Sequence, residues 1–423
     1  MEYFLPMTRA ISLLLPTLAL LLSGCANPAP ETTQTLPALD LLQADNAASL
    51  QGMRVGVVTN HTAVTQDGVH LVDILHEAPE VTVGAIFAPE HGFRGNEEGG
   101  YTVDNLVDEV TGAPIYSLYG ETRKPTPEMM EDLDILVFDI QDIGARFYTY
   151  ISTMGYVMEA GTEHNVPVMI LDRPNPIGGQ AKGPMLDMAV QSFVGRFPIP
   201  IQHGLTVGEL AQMIKGEGWI PQSETLDLRV MTASGWTRDQ FWPALGLRWI
   251  DPSPNMRNFT EAMTYPGLCL IEGTNLNEGR GTEMPFEIFG APWVDSAALA
   301  AALVESGVQG FTVTDTSFVP VSMPGYAANP KFQDETVHGV RIRITDPATF
   351  DAVAFGVHML SFMKTQYPDQ FDWSSAGRID RLWGGSGLRE ALDAGTAPAE
   401  IIAGYQAALE AFKAQREPYL LYP

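Results

Sequence analysis

The strongest constraint on the fold of this chain is the alternation of short apolar runs with amphipathic stretches between residues 54 and 171. Apolar runs predict four buried strands, at 54–58, 81–87, 135–138 and 168–171. The segments between and after them predict helices at 69–78, at 148–164 and from a capping box at Thr206, with a short helix at Thr126-Pro127. Strands that alternate with helices are typical of βαβ units, so the pattern predicts an α/β fold with a parallel sheet covered on both faces.

The glycines of this region do not complete a nucleotide-binding motif. No Gly-x-Gly-x-x-Gly follows the first predicted strand, and no phosphate-loop Lys-Ser/Thr pair is present. We therefore expect a Rossmann-like domain at 39–260 that binds no cofactor.

The pattern changes after about residue 260, and a chain of 423 residues has room for a second domain. Apolar runs predict strands at 267–271, 311–319 and 339–344. Helices are predicted at 296–305, after a cap at Asp295, and at 347–365 and 398–415. We expect a smaller α+β domain at 261–423 that completes a cleft with the first.

The first 24 residues are typical of an export signal. Arg9 precedes a short apolar run, and the run ends in Leu22-Ser23-Gly24-Cys25, which resembles a bacterial lipobox. This pattern predicts a lipoprotein whose Cys25 is acylated, followed by a flexible tether at 25–38; an ordinary signal peptide is the alternative. The predicted location is the membrane surface facing the periplasm or cell envelope.

The charge of the chain excludes some partners. The formal net charge is −27, whereas nucleic-acid binding relies on basic patches. We therefore expect no nucleic-acid partner and no electrostatic docking on anionic lipid, so that membrane contact is through the lipid anchor only. The other cysteine, Cys269, lies in an apolar run and is interpreted as a buried core thiol.

Polar residues follow each of the first four predicted strands. Because the carboxyl ends of parallel strands meet at one edge of the sheet, these residues predict a ligand site there. In chain order the candidates are Asn60, His61, Glu90, His91, Asp139, Arg146, Tyr148, Arg173 and Asn175.

A second polar loop, at 272–283, carries Glu272, Glu278 and Arg280. A cleft with Glu90 on one wall and Glu278 or Glu272 on the other would suit glycoside hydrolysis. In that reaction one carboxyl protonates the leaving oxygen, and the second stabilises or attacks the cationic centre or activates water. The alternative is that Glu90 is a capping or salt-bridge carboxylate.

Two other hydrolase chemistries have weaker support. The acidic and histidine residues at the strand ends (His61, Glu90, His91, Asp139, Asp172) could gather around a metal, but no His-x-x-x-His or Cys-x-x-Cys spacing supports a metal site. The Gly-x-Ser-x-Gly motif of serine hydrolases is absent.

Several of these segments together resemble the exo-β-N-acetylmuramidase family (NamZ-like). They are the lipobox and the stretches FAPEHGFRG at 87–95, DIQDIGARFYTY at 139–150, LDRPNP at 171–176 and EGTNLNEGRGT at 272–282. The resemblance covers roughly residues 40–423 and implies a Rossmann-like domain, a smaller C-terminal domain and a cleft between them. It also implies release of terminal N-acetylmuramic acid from non-reducing ends of peptidoglycan fragments, with Glu90 and either Glu272 or Glu278 as the catalytic pair.

The substrate that the resemblance implies carries a lactyl carboxylate, for which an arginine is the strongest simple anchor. Arg146, Arg173, Arg257 and Arg280 all lie in the polar loops and are candidates, while Tyr148 and Tyr150 could pack on the sugar ring. The alternative function is a non-catalytic lipoprotein that binds muropeptides or sugars.

Overall fold

The computed structural model describes residues 1, 34–91, 93, 106–120, 122–374 and 376–423, and for residue 376 the backbone only. Residues 2–24 of the predicted signal segment and Cys25 lie outside the described residues, as does Arg94. Residues 34–423 form one compact unit. None of the helices in the described ranges combines the length and apolarity that a membrane span requires.

The strands of the described chain form three sheets. The largest has seven strands in the order β3-β4-β2-β1-β5-β6-β9, a second has the order β10-β12-β11, and β7 pairs with β8. The strands are β1 Arg54–Thr59, β2 Thr82–Ala88, β3 Leu106–Val107, β4 Pro114–Ser117, β5 Ile135–Asp139, β6 Val168–Leu171, β7 Lys182–Met185, β8 Pro200–Gln202, β9 Leu228–Met231, β10 Ile288–Ala291, β11 Phe311–Phe318 and β12 Val337–Ile344.

Helices cover these sheets and fill the C-terminal part. The α-helices are α1 Ala38–Ala44, α2 Leu71–Glu77, α3 Tyr150–His164, α4 Val207–Gly216, α5 Phe259–Leu268, α6 Ser296–Glu305, α7 Ala352–Gln366, α8 Ala376–Trp383, α9 Gly387–Asp393, α10 Pro398–Gly404 and α11 Gln406–Arg416. The capping box at Thr206 and the cap at Asp295 are both confirmed.

The large sheet is parallel except for its edge strand β3, which confirms the predicted α/β class. The chain passes from β1 to β2 on one side, whereas β5 pairs with β1 on the other side. The loops after β1 and β5 therefore diverge, and this opens a crevice at the carboxyl edge of the sheet, where open α/β sheets bind ligands.

The C-terminal part has the smaller antiparallel sheet expected there, but one predicted strand is wrong. Residues 267–271 end helix α5 and continue into a 3-10 turn, Cys269–Gly273. Asn258 caps this helix by accepting the backbone N–H of Glu261 at 3.1 Å. The helix is buried from Glu261 to Leu268, so no polar face marks its period, and a short apolar run alone does not separate a strand from a buried helix.

Three other boundaries differ from the prediction. Helix α7 starts at Ala352 because Asp351 accepts the N–H of Ala354 and ends the preceding loop. The segment at 398–415 forms two helices, α10 and α11. The described end of the predicted tether packs on the body, since Leu36 exchanges backbone hydrogen bonds with Ser234 at 2.9 and 2.8 Å.

A single hydrophobic cluster runs through both predicted domains. It joins Val58 and Phe138 of the large sheet to Leu268 and Phe289, and reaches Phe412 in the last long helix. Residue 260 does not interrupt this core.

Candidate functional site

A cavity of about 610 Å³ lies where the loops after β2 and β5 meet segments of the C-terminal part. Its lining comes from the end of β2, from 147–150, from 253–256, from helix α5 and the loop that follows, and from 325–331 and helix α8. Seven of the predicted site residues line it: Glu90, His91, Tyr148, Tyr150, Glu272, Glu278 and Arg280.

Glu90 reaches the cavity from the loop that follows β2. The Thr149 hydroxyl donates a hydrogen bond of 2.8 Å to its Oε2, and the Tyr119 hydroxyl also bonds to its carboxyl group. Burial, followed by the charge of Glu90, raises the pKa of Tyr119, so this hydroxyl keeps its proton and donates. His91 has a φ of 72°, in the left-handed region that costs a side-chain-bearing residue energy; such strain is often stored at functional sites.

Glu272 is held between two guanidinium groups. Its Oε1 accepts from Arg280 at 3.0 Å, and its Oε2 accepts from Arg378. Burial by itself would raise the pKa of Glu272, but Arg280 and Arg378 outweigh this effect and hold the pKa below its usual range. Glu272 is therefore an anion whose two oxygens are both occupied.

Glu278 is also held by cations, but less completely. Its Oε2 accepts from Lys331 at 3.1 Å, while its Oε1 lies 3.4 Å from Nε of Arg280 without a hydrogen bond. The Lys331 ammonium has three protons and three acceptors, since it also donates to the carbonyls of Ile271 and Leu276. The Oε1 atom of Glu278 is thus the carboxylate oxygen left available in this cluster.

Aromatic rings line the cavity between these acidic groups. Tyr150, Tyr148, Tyr265 and Phe286 make consecutive edge-to-face contacts with centroids 5.0, 5.9 and 4.8 Å apart. Such rings give a rigid apolar surface of the kind that packs on sugar faces.

Arg146 does not serve the role expected of it. Its guanidinium is fully buried and donates four hydrogen bonds of 2.8–2.9 Å to the carbonyls of Pro184, Ile199, Leu382 and Trp383. No donor of these four bonds is free for a substrate, so the structure corrects the expectation that Arg146 binds the lactyl group.

The other strand-end candidates also lie outside the cavity lining. Arg173 forms a buried ion pair with Asp139 and faces a separate cavity of about 100 Å³. Asn175 donates to the carbonyl of Leu205 at 2.9 Å, and Asn60 accepts from the N–H and hydroxyl of Thr62.

The same holds for the two remaining candidates. The Nε2 atom of His61 lies 2.7 Å from the carbonyl oxygen of Asp251, and Arg257 is bound to Glu283. Neither residue is in the cavity lining, so their prediction as substrate contacts gains no support from the cavity.

Sequence reasoning missed several residues that line the cavity: Tyr119, Thr149, Lys331 and Arg378. Thr149 lies in the stretch at 139–150, whose spacing on the chain could have pointed to it. Lys331 and Arg378 come from loop and helix segments without a motif, so only the tertiary structure brings them to the acidic pair. Within the described ranges, no group of three or more His, Cys, Asp or Glu side chains is arranged to hold a metal ion.

Comparison with known proteins finds matches over nearly the whole chain. Two family models match, described as "Exo-beta-N-acetylmuramidase NamZ, N-terminal" at residues 55–260 and as the corresponding C-terminal model at 263–422. The peptidoglycan beta-N-acetylmuramidase NamZ of Bacillus subtilis (strain 168) is 42% identical over 385 residues, which cover 91% of this chain and 90% of that protein.

Two crystal structures of DUF1343 family proteins from Bacteroides fragilis NCTC 9343 share the fold. Each is 35% identical to this chain and covers 92% of it, with 99% of the other chain matched. The TM-scores are 0.85 and 0.75.

Proposed function

The chain belongs to the exo-beta-N-acetylmuramidase NamZ family and is a glycoside hydrolase, and from this premise we propose that it releases N-acetylmuramic acid from the non-reducing ends of peptidoglycan fragments in cell-wall turnover and recycling. One observation carries the proposal: Glu90, held by two hydroxyls, lines the same cavity as Glu278, held by cations. Glycoside hydrolysis requires one carboxyl group that donates a proton and a second that acts on the cationic sugar carbon or on water. The difference in partners supports the first role for Glu90 and the second for Glu278.

Glu90 is the proposed proton donor to the leaving oxygen. Among the described residues, no Lys or Arg forms an ion pair with it, and hydroxyl partners can accept as well as donate. A carboxyl group with such partners can release and regain a proton without leaving a buried cation unpaired.

Glu278 is the proposed second carboxylate, which stabilises or attacks the cationic sugar carbon or activates water. Its Oε2 accepts from Lys331, Arg280 lies beside its Oε1, and that Oε1 has no hydrogen bond to protein in the described chain. Glu272 is the weaker candidate because each of its oxygens accepts a hydrogen bond from an arginine. We assign Glu272 the task of positioning Arg280.

The size of the cavity supports action at a chain end. About 610 Å³ is within the range of pockets that enclose one small ligand, and the aromatic rings supply a surface for a terminal sugar. A long open groove would instead suit cleavage within a glycan chain.

The test is release of para-nitrophenol from para-nitrophenyl N-acetyl-β-muraminide by wild type and by Glu90→Gln, Glu278→Gln and Glu272→Gln. We expect kcat of the first two variants to fall at least about 1000-fold, and that of Glu272→Gln to fall less, because the amide keeps one acceptor for Arg280. Wild-type kcat in Glu90→Gln would refute its role. Binding of muramyl ligands by a wild type that cleaves none would favour the non-catalytic alternative.

We also propose that the protein is exported and anchored through a lipid on Cys25, which rests on the sequence at 1–25 alone. Wild type expressed in a bacterial host should incorporate labelled palmitate and sediment with membranes. Cys25→Ser should lose both properties, and label retained by that variant would contradict the anchor site.

A further inference from the structure

One arginine of the cavity lining, Arg378, has hydrogen-bond donors that no described protein group uses. Its Nη2 binds Glu272, and within the described chain neither Nε nor Nη1 has a hydrogen-bond partner. The side chain is 56% exposed although it lines the cavity. An arginine binds a carboxylate side-on through Nε and Nη2 or end-on through Nη1 and Nη2. Because Nη2 carries two protons and Glu272 accepts from this nitrogen alone, one of these two forks of Arg378 stays open to a second carboxylate.

The other two cations among the described lining residues, Lys331 and Arg280, already face two or more protein acceptors each. All three protons of Lys331 have protein acceptors. Arg280 faces Glu278 through Nε and Glu272 through Nη2, and its guanidinium lies over the Phe286 ring at 5.3 Å. Each of these cations holds a carboxylate of the site in place.

An acidic ligand in this cavity needs a hydrogen-bond donor that the carboxyl groups of the lining do not already use. The lining holds three carboxyl groups, Glu90, Glu272 and Glu278, beside Arg280, Arg378 and Lys331, so a ligand carboxylate enters a site that already contains acidic groups. Desolvating that charge is costly unless it finds donors of its own. Arg378 faces a single protein carboxylate, and its side chain is 56% exposed, against 31% for Arg280 and 30% for Lys331.

We propose that Arg378 is the specificity residue that binds the free lactyl carboxylate of the terminal sugar, and thereby separates N-acetylmuramic acid from neutral N-acetylhexosamines. This inference rests on the proposed function for the identity of the sugar, but it concerns recognition and can be tested without turnover. It assigns the lactyl anchor to a residue of helix α8 instead of the loop arginines at the sheet edge.

The experiment is a calorimetric titration of wild type and Arg378→Gln with N-acetylmuramic acid and with its lactyl carboxamide, which has nearly the same shape and no charge. Wild type should bind the acid about 10- to 100-fold more tightly than the amide, as expected for a charge-assisted bidentate pair. In Arg378→Gln the acid should bind no more tightly than the amide.

Arg381→Gln is the matched control, because Arg381 lies in the same helix, is exposed and does not line the cavity. It should keep the wild-type preference. A preference for the acid that survives in Arg378→Gln, or the lack of any preference or of any binding in wild type, would overturn the assignment.

Turnover measurements with Arg378→Gln distinguish a loss of substrate recognition from a structural effect that acts through Glu272. If Arg378 acted only by holding Glu272, its loss would lower kcat/KM equally for the para-nitrophenyl glycosides of the acid and of the amide. We expect the ratio of KM for the acid to KM for the amide to rise about tenfold or more in Arg378→Gln, whatever common effect the lost contact to Glu272 has on both substrates. Absence of turnover in wild type would refute the proposed hydrolysis. The calorimetric titration would then still test whether Arg378 binds the lactyl carboxylate.

Discussion

At the scale of single residues, the two proposed catalytic carboxyls differ in what surrounds them. Glu90 has hydroxyl partners from Thr149 and Tyr119, whereas Glu278 has Lys331 and Arg280. The two carboxyl groups therefore face different kinds of neighbour, hydroxyls for Glu90 and cations for Glu278.

Thr149 is a positioning residue for Glu90. Thr149→Val keeps the shape of the side chain and removes its hydrogen bond, so Glu90 loses a fixed orientation. We expect kcat to fall about tenfold with little change in KM. Steady-state kinetics measures the separate effects on kcat and KM.

Thr153→Val, on the same helix and equally β-branched, is the control and should retain the wild-type kcat. A rise in KM without a change in kcat for Thr149→Val would mean that Thr149 binds substrate instead of orienting Glu90.

At the scale of elements, helix α5 shows how burial changes the chemistry of a helix start. Glu261 lies in its first turn, fully buried, where its carboxyl accepts the backbone N–H of Arg257. Burial raises the pKa of Glu261 to about 8, and nearby Glu287 adds to the effect. The carboxyl is therefore protonated in the folded protein at neutral pH.

This shift predicts a pH dependence of stability. The native state keeps a proton on Glu261 between the ordinary value of 4.5 and about 8, where the unfolded chain has released it. The free energy of unfolding therefore falls as the pH rises through this window, by up to about 1.4 kcal/mol per pH unit. Glu261→Gln, which has no such proton, should show a flatter dependence of Tm on pH.

Exposed Glu305, at the end of α6, provides the control variant Glu305→Gln. It should follow the wild-type dependence. Parallel curves for wild type and Glu261→Gln would contradict the raised pKa of the buried carboxyl.

At the scale of the whole molecule, the C-terminal part is tied into the N-terminal part by buried side chains. Arg146 joins the carbonyls of Pro184 and Ile199 to those of Leu382 and Trp383. The Tyr422 hydroxyl donates to Asp172 at the end of β6. The cavity is thus part of one compact unit whose N- and C-terminal parts are joined by buried hydrogen bonds.

Removal of the Arg146 guanidinium should lower stability instead of altering substrate affinity. Arg146→Met leaves four buried carbonyls without this donor, and we expect the free energy of unfolding to fall by more than about 3 kcal/mol. Urea denaturation measures the loss.

Arg229→Met removes an exposed arginine paired with Asp227 and should cost less than about 1 kcal/mol. An Arg146→Met protein that is as stable as wild type but has a raised KM would restore Arg146 as a substrate contact.

Local patterns in the sequence predict the α/β class, six of the twelve strands of the described chain and the loop segments that carry Glu90, Glu272, Glu278 and Arg280. These follow from local patterns: apolar periodicity, caps and polar residues at strand ends. The same patterns failed for α5, because a helix buried all round shows no period.

Which charged side chains reach the cavity depends on the folded arrangement of the whole chain. Arg146 and Arg173 lie in the predicted loops, yet their guanidinium groups turn into the protein toward carbonyls and Asp139. Lys331 and Arg378 come from distant segments and meet the acidic residues through packing. The direction of a long side chain depends on which acceptors the folded chain places around it, and these come from residues far away in sequence.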